Sequence, residues 1–220
     1  MSISPELFPE IINKIIDTIS RNAESVTELD QAIGDGDHVF NLQRGLQALH
    51  DQSAEISALS WPAAWQKIGM TLMSTVGGAS GSLYATLFIS LAKNAQNIHQ
   101  DLANFARIFG LAIEAVKQRG KADVGEKTML DVLAPVANAL NETVRADKAL
   151  LEILQHIRQT AETGVEATRD MLATKGRASF LGERSKGHID PGAKTAQLMI
   201  EAVAEVLQNH LTSPNAKQQY

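Results

Sequence analysis

Residues 10–20 read EIINKIIDTIS, with isoleucine at positions 11, 12, 15, 16 and 19. Apolar side chains three and four residues apart share one face of an α-helix, whereas a strand would alternate them. The same period returns near the other end of the chain at Ala196, Met199, Ile200, Val203, Ala204 and Leu207. Between these stretches, similar patterns cover about residues 38–50, 62–75, 81–97, 102–118, 127–144 and 148–173, and alternating β-branched runs are missing. The chain is therefore expected to be all-α, with roughly eight helices. Start signals fit this count: Ser4-Pro5, Ser60 with Pro62, Asp101, Asp147 and Asp190-Pro191 each put a capping side chain or a first-turn proline ahead of an apolar period. Pro135 falls inside one expected helix and is expected to kink it.

The 220 residues, 44% of them hydrophobic, suit one domain over 1–220 with a core from about 5 to 210 and a frayed tail over 211–220. Without cysteine, disulfide frameworks, cysteine zinc sites and thiol nucleophiles are excluded. A net charge of -5 disfavours a direct nucleic-acid binder, although a local basic patch remains compatible with it. No run approaches the ~18 apolar residues of a membrane span. The first residues, MSISPELFPE, do not read as a signal peptide, so the expected location is the cytoplasm, with no membrane partner.

Most of the 15 glycines fall into four segments between the expected helices: Gly34 and Gly36; Gly77, Gly78 and Gly81; Gly120 and Gly125; and Gly176, Gly182, Gly187 and Gly192. If successive helices run antiparallel, the loops after helices 1, 3, 5 and 7 share one end, and these are the four segments. One site at one end of an up-and-down bundle follows from that spacing.

The first segment places Asp30, Asp35 and Asp37 within eight residues, on a glycine loop entering a helix. Two like charges ~4 Å apart repel by about 4 kcal/mol at an effective dielectric of ~20, so a converging trio wants a cation. Oxygen-only ligands favour a hard metal such as Mg²⁺, while outward-pointing helix caps are an equally good reading of the spacing alone. An EF-hand does not fit, since the glycine and distal glutamate offsets are wrong. The second segment, Val76 to Ser82, has small residues that let backbone N–H groups approach a phosphate at a helix N-terminus. A plain tight turn explains it as well. The third, Arg119 to Met129, offers the Thr128 hydroxyl and Met129, which either packs on a base or is core. The fourth, Lys175 to Gly192, is a basic island: Arg177 or Arg184 suits phosphate oxygens, or else pairs with Glu183 or caps a helix, and Asp190 suits an N-cap. Gly182 to His188 has the Walker A spacing but puts histidine where lysine is required.

Taken together and in order, IGDGDH at 33–38, GGASG at 77–81, GEKTM.DV at 125–132 and KGRASFLGERS.GH.DPGA at 175–193 resemble the nucleotide-binding L subunit, or L domain, of dihydroxyacetone kinases. The resemblance covers about residues 5–210. It implies an antiparallel eight-helix up-and-down barrel with ADP or ATP and two Mg²⁺ ions at one end. By matching positions, Asp30, Asp35 and Asp37 would hold the metals, and His38 and Asn41 would contact the nucleotide phosphates. Ala79 and Ser80 would bind phosphate through the glycine loop; Gly120, Thr128 and Met129 would border the adenosine; Arg177 with Asp190, Pro191 and Gly192 would close the site. ATP-dependent members usually carry this domain fused to a dihydroxyacetone-binding domain. The chain as given resembles instead the separate subunit of the phosphotransferase-system enzyme, in which bound ADP is rephosphorylated by a phosphohistidine protein and the phosphoryl group passes to dihydroxyacetone on a second subunit. The same motifs are compatible with an ATP-dependent kinase subunit acting on dihydroxyacetone or another small ketose or tetrose. They are also compatible with a regulatory nucleotide-binding module, which would make a transcriptional regulator a further partner.

Overall fold

The structure, a computed structural model, describes residues 4–212. Ten α-helices follow one another: α1 (Phe8–Arg21), α2 (Ala23–Ile33), α3 (His38–Asp51), α4 (Ser53–Ser57), α5 (Trp61–Thr75), α6 (Gly78–Asn94), α7 (Leu102–Gly120), α8 (Leu130–Arg145), α9 (Leu150–Ala167) and α10 (Pro191–Thr212). Short 3-10 segments cover Pro5–Leu7, Thr168–Asp170 and Arg177–Ser185, and there is no strand among the described residues. The all-α expectation holds. The helix number does not, because α2 and α4 lie in stretches that no expected helix covers: Asn22 separates α2 from α1 at φ -105°, ψ 6° with its side-chain amide donating to Thr18 O, and Gln52 repeats this geometry between α3 and α4. Leu211 and Thr212 belong to α10 rather than to a tail, and 213–220 lie outside the described residues.

Eight of the helices pack as successive neighbours around a ring, α1 on α3, α3 on α5, then α5 to α10 in chain order, with α10 returning to α1. Neighbours run antiparallel. Glu10 meets His210 and Lys14 meets Glu205 between α1 and α10, while Arg44 reaches Thr75 O between α3 and α5. Residues such as Ile12, Ile19, Leu46, Ile68, Ile113, Val132 and Val165 fill the interior as one connected core. An aromatic ladder, Phe8–Trp61–Trp65–Phe105–Phe109, crosses the end where α1, α5 and α7 begin, with ring centroids 5.1 to 6.1 Å apart.

Pro135 lies inside a helix, as expected, and α8 runs on through it to Arg145. A proline has no N–H to return to the carbonyl four residues back, which here is that of Asp131. Gly164 of α9 packs on this carbonyl so closely that a Cβ would stand 2.4 Å from it, so the glycine lets the two helices meet where the ladder is interrupted. Asp147 does not start a helix. It takes φ 52° beyond the end of α8, with Asp147 N–H bonded to Val144 O and Lys148 N–H to Thr143 O, and α9 begins only at Leu150. That is a Schellman stop for the preceding helix. No helix among the described residues is long and apolar enough to cross a membrane.

Candidate functional site

The antiparallel order brings the ends of α2, α5, α7 and α9 to the side opposite the aromatic ladder, and the four glycine-rich connections cross there. Asp30 is not on a loop as expected. It lies in the last turn of α2, is buried, and its Oδ2 accepts the N–H of His38 at 3.0 Å. Asp35 and Asp37 follow on the exposed turn, and one carboxylate oxygen from each of the three lies within 4.8 Å of the others. Close carboxylates with only oxygen to offer fit a hard divalent cation. Arg177, on the strap between α9 and α10, donates from Nε to Asp35 Oδ2 at 2.7 Å, bringing a protein cation to the same spot. Of the alternatives open from sequence, a pair of Arg177 with Glu183 gives way to this longer-range contact, and Glu183 pairs with Lys186 instead.

His38 begins α3 with its Nε2 2.9 Å from Thr195 Oγ1, and the Thr195 hydroxyl donates to Gly192 O at 3.1 Å. With that hydroxyl proton spent, the ring donates from Nε2 and leaves Nδ1 as an acceptor. Burial lowers the His38 pKa, against the pull of Asp30 and Asp37, and so favours this neutral form. One turn on, Asn41 is buried with Oδ1 accepting from Arg44 at 3.1 Å, which turns its amide N–H groups the other way. Gly77 packs on that Oδ1: a Cβ there would stand 2.5 Å away. Gly77 caps α6 without a side-chain bond, so the backbone N–H groups of Gly78, Ala79 and Ser80 open the helix beside Asn41.

On the other side, the buried carboxylate of Asp131 accepts the N–H groups of Gly125 and Thr128 and shapes the turn that carries Thr128 and Met129. Its pKa is raised by burial. Met129 is buried, and its backbone N is 3.8 Å from where a Gly192 Cβ would stand, so the Asp190–Gly192 corner and the Met129 turn meet. Asp190 caps α10 by accepting the Ala193 N–H at 2.7 Å, Pro191 is the first residue of that helix, and burial raises the Asp190 pKa to about 7. For Gly120, at the end of α7, the nearest side chains are Leu83 and Ala122, neither of them a group expected at the site. Arg44, Lys127, Asp131 and Thr195 join the arrangement without having been assigned a role from sequence. Lys127 and Asp131 stand within a quoted motif at fixed offsets, and nothing in the local pattern separates Arg44 and Thr195 from ordinary surface or helix residues.

Residues 32–205 match a family model described as the DAK2 domain. The chain belongs to the DAK2 domain family. Among DAK2 relatives, the PEP-dependent dihydroxyacetone kinase 1, ADP-binding subunit DhaL of Listeria innocua is 38% identical over 88% of this chain and 92% of its own length. The PEP-dependent dihydroxyacetone kinase, ADP-binding subunit DhaL of Escherichia coli is 37% identical over 93% of this chain and 98% of its own. A crystal structure of the dihydroxyacetone kinase from C. freundii, in complex with AMP-PNP and Mg²⁺, shares the fold at a TM-score of 0.69 and 24% identity, covering 90% of this chain. This chain spans about a third (33%) of that solved one.

Proposed function

We propose that this DAK2 chain is the nucleotide-binding subunit of a phosphoenolpyruvate-dependent dihydroxyacetone kinase. Its bound ADP accepts a phosphoryl group from a phosphohistidine protein and passes it to dihydroxyacetone on a partner subunit, in the cytoplasm. The observation that carries this reading is the convergence of Asp30, Asp35 and Asp37 within 4.8 Å of one another at the end where the α6 N-terminus opens beside Asn41. Two relatives that match nearly end to end are named as ADP-binding subunits of such enzymes, which supports the choice of donor.

The three aspartates would hold Mg²⁺, two ions in the full reading, which when bound neutralises charge on the phosphate oxygens and on the transferring group. The α6 amides at Gly78, Ala79 and Ser80 supply fixed N–H donors for a phosphate, and Asn41, held through Oδ1 by Arg44, adds its amide at their edge. His38 keeps Nδ1 as an acceptor while neutral and contacts phosphate as a donor only once that nitrogen takes a proton. Thr128, Met129 and Gly120 form the adenosine side, and Arg177 with Asp190, Pro191 and Gly192 closes the site. Little covalent chemistry is asked of the chain, because phosphoryl transfer is governed by positioning and charge.

The test supplies a cognate dihydroxyacetone-binding subunit and compares donors. With phosphoenolpyruvate and its phosphohistidine relay, product should accumulate at substoichiometric nucleotide. Full-rate turnover on freely exchanging ATP, with none from the relay, would replace this reading by the ATP-dependent one.

A further inference from the structure

Lys127 is the most deeply buried cation among the described residues, 2% exposed, and it pairs with no carboxylate. Its Nζ instead donates to three backbone carbonyls, Thr168 O, His188 O and, at 3.5 Å, Arg169 O. An ammonium has three N–H donors, so this set exhausts them. The carbonyls come from the two ends of one excursion. Thr168 and Arg169 close α9, His188 precedes the Asp190 corner, and the chain between them carries Arg177.

The base of that excursion is clasped by further bonds. Gly187 N–H donates to Arg169 O at 2.8 Å, and Asp190 N–H to Thr168 Oγ1 at 3.0 Å. Lys127 adds what these cannot, a link to a third segment: its backbone, held at φ 61°, belongs to the turn that continues into Thr128 and Met129. From the other face, Asp131 binds the amides of the same turn. A left-handed conformation at a side chain with a Cβ, together with a buried charge, is retained only where the surroundings hold it in place. Glu126 bonds Thr174 Oγ1 at 2.6 Å and so ties the turn to the strap a second time, at the surface.

We propose that Lys127 is a positioning residue that locks the Met129 turn and the Arg177 strap into one unit, so that the adenosine side and the phosphate side of the nucleotide site are set together. The inference rests on the nucleotide-site reading above. Lys127 touches no reacting atom in this account and acts through the carbonyls it gathers.

The test compares Lys127→Met and Lys127→Arg with the unsubstituted protein, each at a temperature where circular dichroism shows it folded. Calorimetric titration with MgADP should show Lys127→Met weakened by about tenfold or more, as misplacement of a positioning group does, with Lys127→Arg recovering part of the loss. Bound MgADP should shield the tryptic sites between Lys175 and Lys186 in the unsubstituted protein but not in Lys127→Met. A residue serving stability alone would lower the melting temperature and leave the affinity of the folded variant within about twofold and its tryptic shielding intact; that result overturns the proposal. Should Lys127→Met not fold, hydrogen exchange of the unsubstituted protein decides: turn 122–129 and strap 171–188 gain protection together on adding MgADP, and protection of the turn alone overturns the proposal. Failure of the unsubstituted protein to bind MgADP would count against the nucleotide-site reading itself, which keeps the two outcomes apart.

Discussion

The two ends of the helical ring are built on opposite principles. At one, Phe8, Trp61, Trp65, Phe105 and Phe109 close the bundle with stacked and edge-on rings. At the other, the connections are rich in glycine, and the buried groups include Asp30, Asn41, Lys127, Asp131 and Thr195. Apolar burial stabilises without direction, while buried polar groups cost stability unless each finds a partner. The contrast puts apolar stabilisation at the aromatic end and leaves the proposed ligand site at the polar one. It also explains why the polar end consists of backbone amides and carbonyls held by single side chains: Asp131 gathers N–H groups, and Lys127 gathers carbonyls.

That division can be broken from either side. The largest effect is expected at the aromatic end, where Trp65→Ala removes a buried ring between Trp61 and Phe105. Denaturant unfolding should report a loss of about 3–5 kcal/mol, with the MgADP affinity of the folded fraction unchanged; a matching loss of affinity would mean the ends are not separable. At the polar end the pattern reverses. Asp37→Ala removes an exposed carboxylate that makes no side-chain cap bond to α3. Its MgADP affinity should fall by about 100-fold, equivalent to ~2.7 kcal/mol, with unfolding barely altered. If only stability moved, by about 1 kcal/mol, Asp37 would be a helix cap and not a ligand.

A third comparison uses pH. Burial raises Asp190 to about 7, well above an unfolded aspartate, so the folded state holds a proton that the unfolded chain has already released. Its contribution is therefore lost as pH rises from the unfolded value toward the folded one. In metal-free protein, the stability of the unsubstituted chain should drop relative to Asp190→Asn by about 2 kcal/mol between about pH 5.0 and 6.5. Parallel pH profiles for the two proteins would contradict the raised pKa of this carboxyl. The smallest effect belongs to Asp101, whose Oδ1 accepts the Asn104 N–H at 2.7 Å at the start of α7, away from the site. Asp101→Ala should cost about 1 kcal/mol of stability by thermal unfolding and leave nucleotide binding untouched.

Most helices were legible because one apolar face at a period near 3.6 residues is enough to mark them, as along α1, α5 and α7. α2 was not, because AESVTELDQAI buries only Val26, Asp30 and Ile33, and one of these three is a carboxylate. Missing α2 put Asp30 on a loop, although its place on a helix is what turns it toward Asp35 and Asp37. Asp147 differs from its expected role because an aspartate beside a helix gap looks like the start of the next helix, and only the backbone shows that it ends the one before. The convergence of four glycine segments at one end followed from loop parity. The link between Lys127 and the carbonyls of Thr168 and His188 spans 41 and 61 residues, and no local pattern records a contact of that kind.

The central claim is that the polar end holds a nucleotide through a divalent cation bound by Asp30, Asp35 and Asp37. Calorimetric titration of the unsubstituted chain with ADP, once with Mg²⁺ and once with a chelator, tests it most directly. Tight, near-stoichiometric binding with Mg²⁺ that collapses by about 100-fold or more in the chelator is the predicted result. Equal affinity under the two conditions, or no binding under either, would contradict it.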